Sequence, residues 1–151
     1  MSIKQQLDQD LKAAMLAGDK QLTTTLRGLK SAVLYAEVAA GKRDQGLDDE
    51  AVIALFSKEA KKRQESADLY QKGEAPEKAA AELAEKQVIE RYLPQQMDDD
   101  ELADVVDQVI ASQGASGMQA MGQVVAAVKQ QVGARADGGR IAAAAKSKLG
   151  A

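Results

Sequence analysis

Apolar residues recur along this chain at steps of three and four, the spacing of one face of a helix, and strand-like alternation is nearly absent. Ile3, Leu7, Leu11 and Met15 mark a first helix over about 3–17, with Ser2 as N-cap and Gly18 as its stop. Leu22, Leu26, Leu29, Val33 and Ala36 form the heptad-like seam of a second helix over about 20–40, closed by Gly41 and a charged, Gly-rich turn. A third helix opens at the N-cap Asp48, with Asp49 and Glu50 in the first turn where negative charge suits the dipole, and runs to about Lys72. Its apolar stripe is thin (Val52, Phe56, Ala60, Ala67, Tyr70), and Glu59 with Arg63 and Asp68 with Lys72 are placed as surface pairs one turn apart. After Gly73, Pro76 fits the first turn of a fourth helix reaching about Tyr92, with Leu83, Val88 and Tyr92 inward and Glu74–Lys78 and Glu82–Lys86 as further pairs.

Pro94 disfavours helix at the residue before it and marks a connector over 94–97. Beyond it, Asp98 and Glu101 have the spacing of a capping box. Leu102, Val105, Val106, Val109 and Ile110 give the core face of a fifth helix ending near Gly114. Met121, Val124, Val125 and Val128 give that of a sixth over about 117–132. Ile141, Ala144, Ala145 and Leu149 give that of a seventh over about 139–149, after a turn at 133–139. The expected architecture is all-α: an N-terminal module of about four helices over 1–93, the connector, and a C-terminal three-helix bundle over 98–151.

Composition narrows the chemistry. Aromatics are only 3% of the 151 residues, so Leu, Val, Ile, Met and Ala must fill the cores. There is no cysteine and no histidine, which excludes disulfides, thiolate ligands, Cys nucleophiles and imidazole bases. Catalysis would have to rest on carboxylates, Lys, Tyr or Ser/Thr, and no metal or other cofactor is expected. No apolar stretch approaches the roughly 20 residues of a membrane span, and the first residues lack the apolar core of a signal peptide. A cytoplasmic protein without membrane association is expected.

The net charge of −3 is unevenly spread. Residues 94–114 carry six acids (Asp98, Asp99, Asp100, Glu101, Asp104, Asp107) and no base, whereas 115–151 carry Lys129, Arg135, Arg140, Lys146 and Lys148 against Asp137 alone. Those five bases are the candidate RNA-binding residues. A Gly-containing turn opening a helix offers backbone N–H groups to phosphate, and flanking Arg can fork onto it. The competing reading is a helix joint capped by Asp137, with lysines that favour a helix C-terminus. With no aromatic in this module, base stacking is unavailable and RNA contact would be through backbone and shape. Lys58, Lys61, Lys62 and Arg63 make a second basic surface, read either as an RNA contact or as a solvated face laced with Glu59 and Glu65. The run Asp98–Glu101 is explained by capping and dipole compensation rather than metal. The small residues Ala142–Ala145 suit close helix packing or, alternatively, close approach of a ligand.

Four stretches then carry a resemblance: Leu7 to Met15 with Leu26-Arg27; Lys58 to Ser66; Tyr92-Leu93-Pro94-Gln95-Gln96; and Met121-Gly122-Gln123-Val124, Gly133-Ala134-Arg135-Ala136-Asp137 and Lys146-Ser147-Lys148-Leu149. On these the whole chain resembles the YqeY family, also called GatB/YqeY-like proteins. The last stretch is also similar to the tail of GatB, from the amidotransferase that corrects mischarged Glu-tRNA(Gln) or Asp-tRNA(Asn). The resemblance implies a helical module plus a three-helix tail, tail contacts with tRNA, and association with carbon–nitrogen ligase activity using glutamine as amido donor. It reaches only the tail of GatB, so ligase activity is not expected of this chain alone. The function expected is a non-catalytic, tRNA-binding accessory protein. The alternative is a helical adaptor in which the acidic fifth helix and the seam of the second engage a protein partner, in translation or elsewhere, with no RNA role.

Overall fold

The computed structural model describes residues 1–150, and among these the fold is all-α. Seven α-helices follow in order: α1 Ile3–Leu16, α2 Lys20–Ala39, α3 Asp49–Lys72, α4 Pro76–Glu90, α5 Asp99–Gln113, α6 Met121–Val132 and α7 Gly138–Leu149. Short 3₁₀ turns occupy Met118–Ala120 and Gly133–Arg135. Contacts divide the chain into two compact units, Met1–Leu93 and Pro94–Ala151.

In the first unit the caps are local and strong. Ser2 Oγ accepts from the Gln5 N–H while Gln5 Oε1 accepts from the Ser2 N–H, a complete capping box. Asp19 and Asp48 cap α2 and α3. Leu7, Leu11 and Ala14 of α1, Leu26, Leu29 and Val33 of α2, Val52, Phe56 and Ala60 of α3, and Ile89 of α4 make one core. Each fully buried aliphatic side chain of this kind contributes about 1.5–3 kcal/mol.

Several apolar positions differ from the expected stripes. Met15 is 47% exposed and Ala14 is buried instead. A constant step of four drifts about 40° per step around a 3.6-residue turn, so by Met15 the stripe has left the interface. Tyr70 and Leu83 are exposed, while the small residues Ala67 and Ala79 are buried where α3 and α4 pack closely, and Ile89 enters the core that holds Phe56. The same packing redirects the charges. Lys86 Nζ donates to Gln64 Oε1 at 2.8 Å and Arg63 Nε to Glu85 at 3.1 Å across the two helices. The expected pairs Glu74–Lys78, Glu82–Lys86 and Asp68–Lys72 are not formed, whereas Glu59–Arg63 is. Helix α4 stops at Glu90, and i→i+3 bonds tighten the chain through Leu93. Tyr92 thereby lies past the helix yet still faces inward. Its ring meets Phe56 edge-on at 5.8 Å and its hydroxyl donates to Asp10.

In the second unit Asp98 caps α5 by accepting from the Glu101 N–H at 2.8 Å. The reciprocal arm of the expected box is absent, because the Glu101 carboxylate turns to the Arg135 guanidinium. Gly114 ends α5 in the left-handed conformation, which needs no Cβ. Leu102, Val106 and Val109 pack with Val124, Val128 and Val132 of α6 and Ile141, Ala145 and Leu149 of α7. Val105, Ile110, Met121, Val125 and Ala144 are only partly buried around that core. Met97, read from the sequence as connector, is buried in it, and its N–H donates to Arg135 O at 2.8 Å.

Candidate functional site

Helix α7 is set by Asp137, whose carboxylate accepts from the Arg140 N–H at 2.8 Å, and by Ile141, Ala145 and Leu149, which face the core. That register leaves Arg140, Lys146 and Lys148 outside the core, and Arg140 and Lys148 reach α5. Arg140 Nη2 donates to Asp99 at 2.9 Å and to the Met97 carbonyl at 2.7 Å. Lys148 Nζ pairs with Asp107 at 3.0 Å. From the 3₁₀ turn, Arg135 Nη2 lies 3.5 Å from Glu101 and its Nε donates to the Gln95 carbonyl at 3.1 Å. Three of the five candidate bases thus form a ladder with the acids of α5.

The remaining two are apart. A Cβ on Gly138 would lie 3.3 Å from Lys129 Cε, so that side chain sits at the start of α7. Lys146 is exposed near the other end of α7, beside Met118, Ala143 and Ser147 in a shallow hollow. Neither has a carboxylate partner among the described residues. The five bases therefore spread over the length of α7 instead of gathering at one point. Residues 94–151 hold seven acids against five bases. Exposed ion pairs like these stabilise by about 0–1 kcal/mol each, so the ladder matters more for the surface potential than for folding.

The second basic surface is also partly engaged. Arg63 bonds to both Glu59 and Glu85, and Lys62 lies 3.4 Å from Glu59. Burial disfavours the Arg63 cation, but its two carboxylate partners outweigh that and hold its pKa above the ordinary value. Lys58 and Lys61 are exposed. No group of three or more acidic side chains among the described residues converges as a metal site. No helix of the structure is long and apolar enough to cross a membrane.

Two features went unread in the sequence. Glu37 is buried on α2, four residues beyond Val33 on the seam. It accepts from Lys4 Nζ at 2.6 Å and from the Leu47 N–H at 2.8 Å, tying the loop before α3 to α1 and α2. Those hydrogen bonds, the Lys4 one foremost, hold its carboxyl below the usual range despite burial. The second feature is the exposed apolar group Leu34, Tyr35 and Val38 on α2. The seam proper (Leu26, Leu29, Val33) is buried in this unit's own core. Leu34 and Tyr35 directly follow Val33, and two large apolar residues outside the seam were the available signal.

Residues 4–149 match the profile of the family described as "Yqey-like protein". The chain belongs to the YqeY-like family. Other proteins similar to this YqeY-like chain are named "Altered inheritance of mitochondria protein 41, mitochondrial". That of Lachancea thermotolerans is 36% identical over 89 residues, 59% of this chain and 46% of the relative. That of Eremothecium gossypii is 37% identical over 87 residues, 58% and 46% respectively. That of Kluyveromyces lactis is 31% identical over 86 residues, 57% and 45%. The YqeY-like chain spans about half the length of the curated relatives it matches. Their names overturn the cytoplasmic placement expected above. That expectation rested on the polarity of the first residues and on the length of apolar runs, and neither separates the cytoplasm from an organelle interior.

Proposed function

We propose that this YqeY-like protein is a non-catalytic helical adaptor that binds a protein partner. The observation that carries this reading is the exposed apolar group Leu34, Tyr35 and Val38 on α2, at 49%, 81% and 56% exposure. Large apolar side chains clustered within about one helical turn, outside any core, are the usual mark of an interaction surface. The titratable groups displaced from their ordinary behaviour, Glu37, Arg63 and Tyr92, are engaged in internal bonds, and the chain lacks His and Cys. Pure protein given glutamine, ATP and mischarged tRNA is expected to yield no amidated product. Affinity capture tests the adaptor reading: associated proteins should survive RNase treatment, and their loss on RNase treatment would refute it.

A second reading is a tRNA-binding accessory protein, through the likeness of the last helices to the GatB tail. Lys129 and Lys146, which lack carboxylate partners among the described residues, favour it. Against it stand the ladder of Arg135, Arg140 and Lys148 with α5 and the excess of acid in this unit.

A further inference from the structure

The solvent face of α2 has a polarity along its length. Arg27 and Lys20 lie toward its N-terminus, and Leu34, Tyr35 and Val38 toward its C-terminus. Arg27, Leu34 and Val38 share one line at helical steps of seven and four, and Gly28, Ser31 and Tyr35 share the adjacent line at steps of three and four. The single carboxylate of α2, Glu37, is buried with Lys4. Lys30 pairs with Asp8 of α1 at 2.9 Å, but Arg27 and Lys20 have no carboxylate partner among the described residues, and Arg27 Nη2 donates to the Met15 sulfur at 3.4 Å. Between α1 and α2 runs a groove of about 520 Å³ lined by Leu7, Val33 and Leu34 with Arg27 and Lys30, and also by the carboxylates Asp8 and Glu37, which are paired with Lys30 and Lys4.

Gly28 is the second, independent observation. It lies in the middle of a 20-residue helix, where glycine is a poor choice, and a Cβ there would meet nothing within 4 Å. Neither a turn nor an internal contact of this fold requires it. A small residue on a solvent face, followed one turn later by Ser31, lets a second helix approach the α2 backbone closely.

Resting on the adaptor reading, we propose that this face of α2 docks one amphipathic helix of a partner protein. The partner helix packs its backbone at Gly28 and Ser31, places apolar side chains on Leu34, Tyr35 and Val38, and sets carboxylates against Arg27 and Lys20. A second copy of this α2 face offers no exposed carboxylate to meet Arg27 and Lys20, since Glu37 is buried with Lys4, so the charges favour a different partner. The helix-in-groove mode takes its affinity from the apolar anchors and its orientation from the charges.

The test uses the full chain in its native host, with a photo-crosslinking residue at Tyr35 and, as control, at Lys61 on α3. The expected product at Tyr35 is a cross-link to a segment of another protein with apolar residues at steps of three and four and carboxylates at one end. Arg27→Glu and Gly28→Leu should each lower its yield at least tenfold, with helix content by circular dichroism unchanged. Gly28→Ala, which keeps the residue small, serves where Gly28→Leu perturbs the fold, and should lower the yield less. A cross-link to this chain itself, to RNA or to a segment without that pattern overturns the proposal, as does none at all or undiminished yield in Arg27→Glu. If RNase-resistant partners are captured while Tyr35 gives no cross-link, the docking face is wrong and the adaptor reading stands. If no such partner is captured, the adaptor reading itself fails.

Discussion

Replacing Glu37 by Ala removes two bonds that join parts of the chain far apart in sequence. The carboxylate holds Lys4, 33 residues away, and the Leu47 N–H, ten residues away. Hydrogen bonds to a charged group are worth roughly 1.5–3 kcal/mol each, and breaking a fully buried ion pair costs about 3–5 kcal/mol. Here the Lys4 side chain is 37% exposed and can turn to water, so the lower end applies to it. The Leu47 N–H is part-buried and loses its acceptor. We expect a loss of about 2–3 kcal/mol for Glu37→Ala and less for Glu37→Gln, which keeps one acceptor. Because the folded-state pKa lies below the ordinary 4.5, this stabilisation is complete above that pH and is lost as the pH falls through the folded value. Urea unfolding followed by tyrosine fluorescence reads it cleanly, since all three tyrosines and the one phenylalanine lie in the first unit. Wild type should lose stability below about pH 4.5 more steeply than Glu37→Ala. A change under about 0.5 kcal/mol at pH 7, or acid profiles that run parallel, would refute this account of Glu37.

Tyr92→Phe should cost about 1 kcal/mol through the lost bond to Asp10. Burial, then the Asp10 carboxylate, push the Tyr92 phenol above its ordinary 10, so the stability tied to it is present below pH 10 and is lost as the pH rises toward the folded value. Tyr92→Phe should accordingly remove a late-titrating phenol from the ultraviolet titration. In the second unit, Arg140→Ala should cost about 1–2 kcal/mol because it leaves the Met97 carbonyl short of a donor. Lys148→Ala, which loses only an exposed pair with Asp107, should cost under about 0.5 kcal/mol. Urea unfolding followed by far-ultraviolet circular dichroism should keep the Arg140 difference in high salt and erase that of Lys148.

Much of the fold was legible because it is locally coded. The caps Ser2, Asp48, Asp98 and Asp137 and the stops at Gly73 and Gly114 act within one turn of themselves and are present in the structure, although the Asp98 box with Glu101 keeps only one of its two arms. Which way each helix faces was less legible. Ala14 and Ala79 are buried while Met15 and Leu83 are exposed, because close helix packing takes a small residue at the contact, and Ile89 fills the core in place of Leu83; which residue faces inward depends on the neighbour. The basic end was harder still. The partners of Arg135, Arg140 and Lys148 lie 34 to 41 residues upstream. The reversal from acidic to basic block at 114–115 is compatible with binding a polyanion and with the two blocks meeting each other, and spacing alone does not separate these. Glu37 was hidden for the same reason, since a seam reading treats a carboxylate as surface until its Lys4 is found.

Titration with total tRNA at low and at physiological salt, with Arg135, Arg140 and Lys148 intact and each replaced by Ala, asks most directly whether these bases serve α5 or a polyanion. The account predicts weak association in the non-specific range of about 10⁻⁴–10⁻⁶ M at physiological salt, unchanged by the three substitutions. Tight binding whose salt slope falls by about one for each base removed would contradict it.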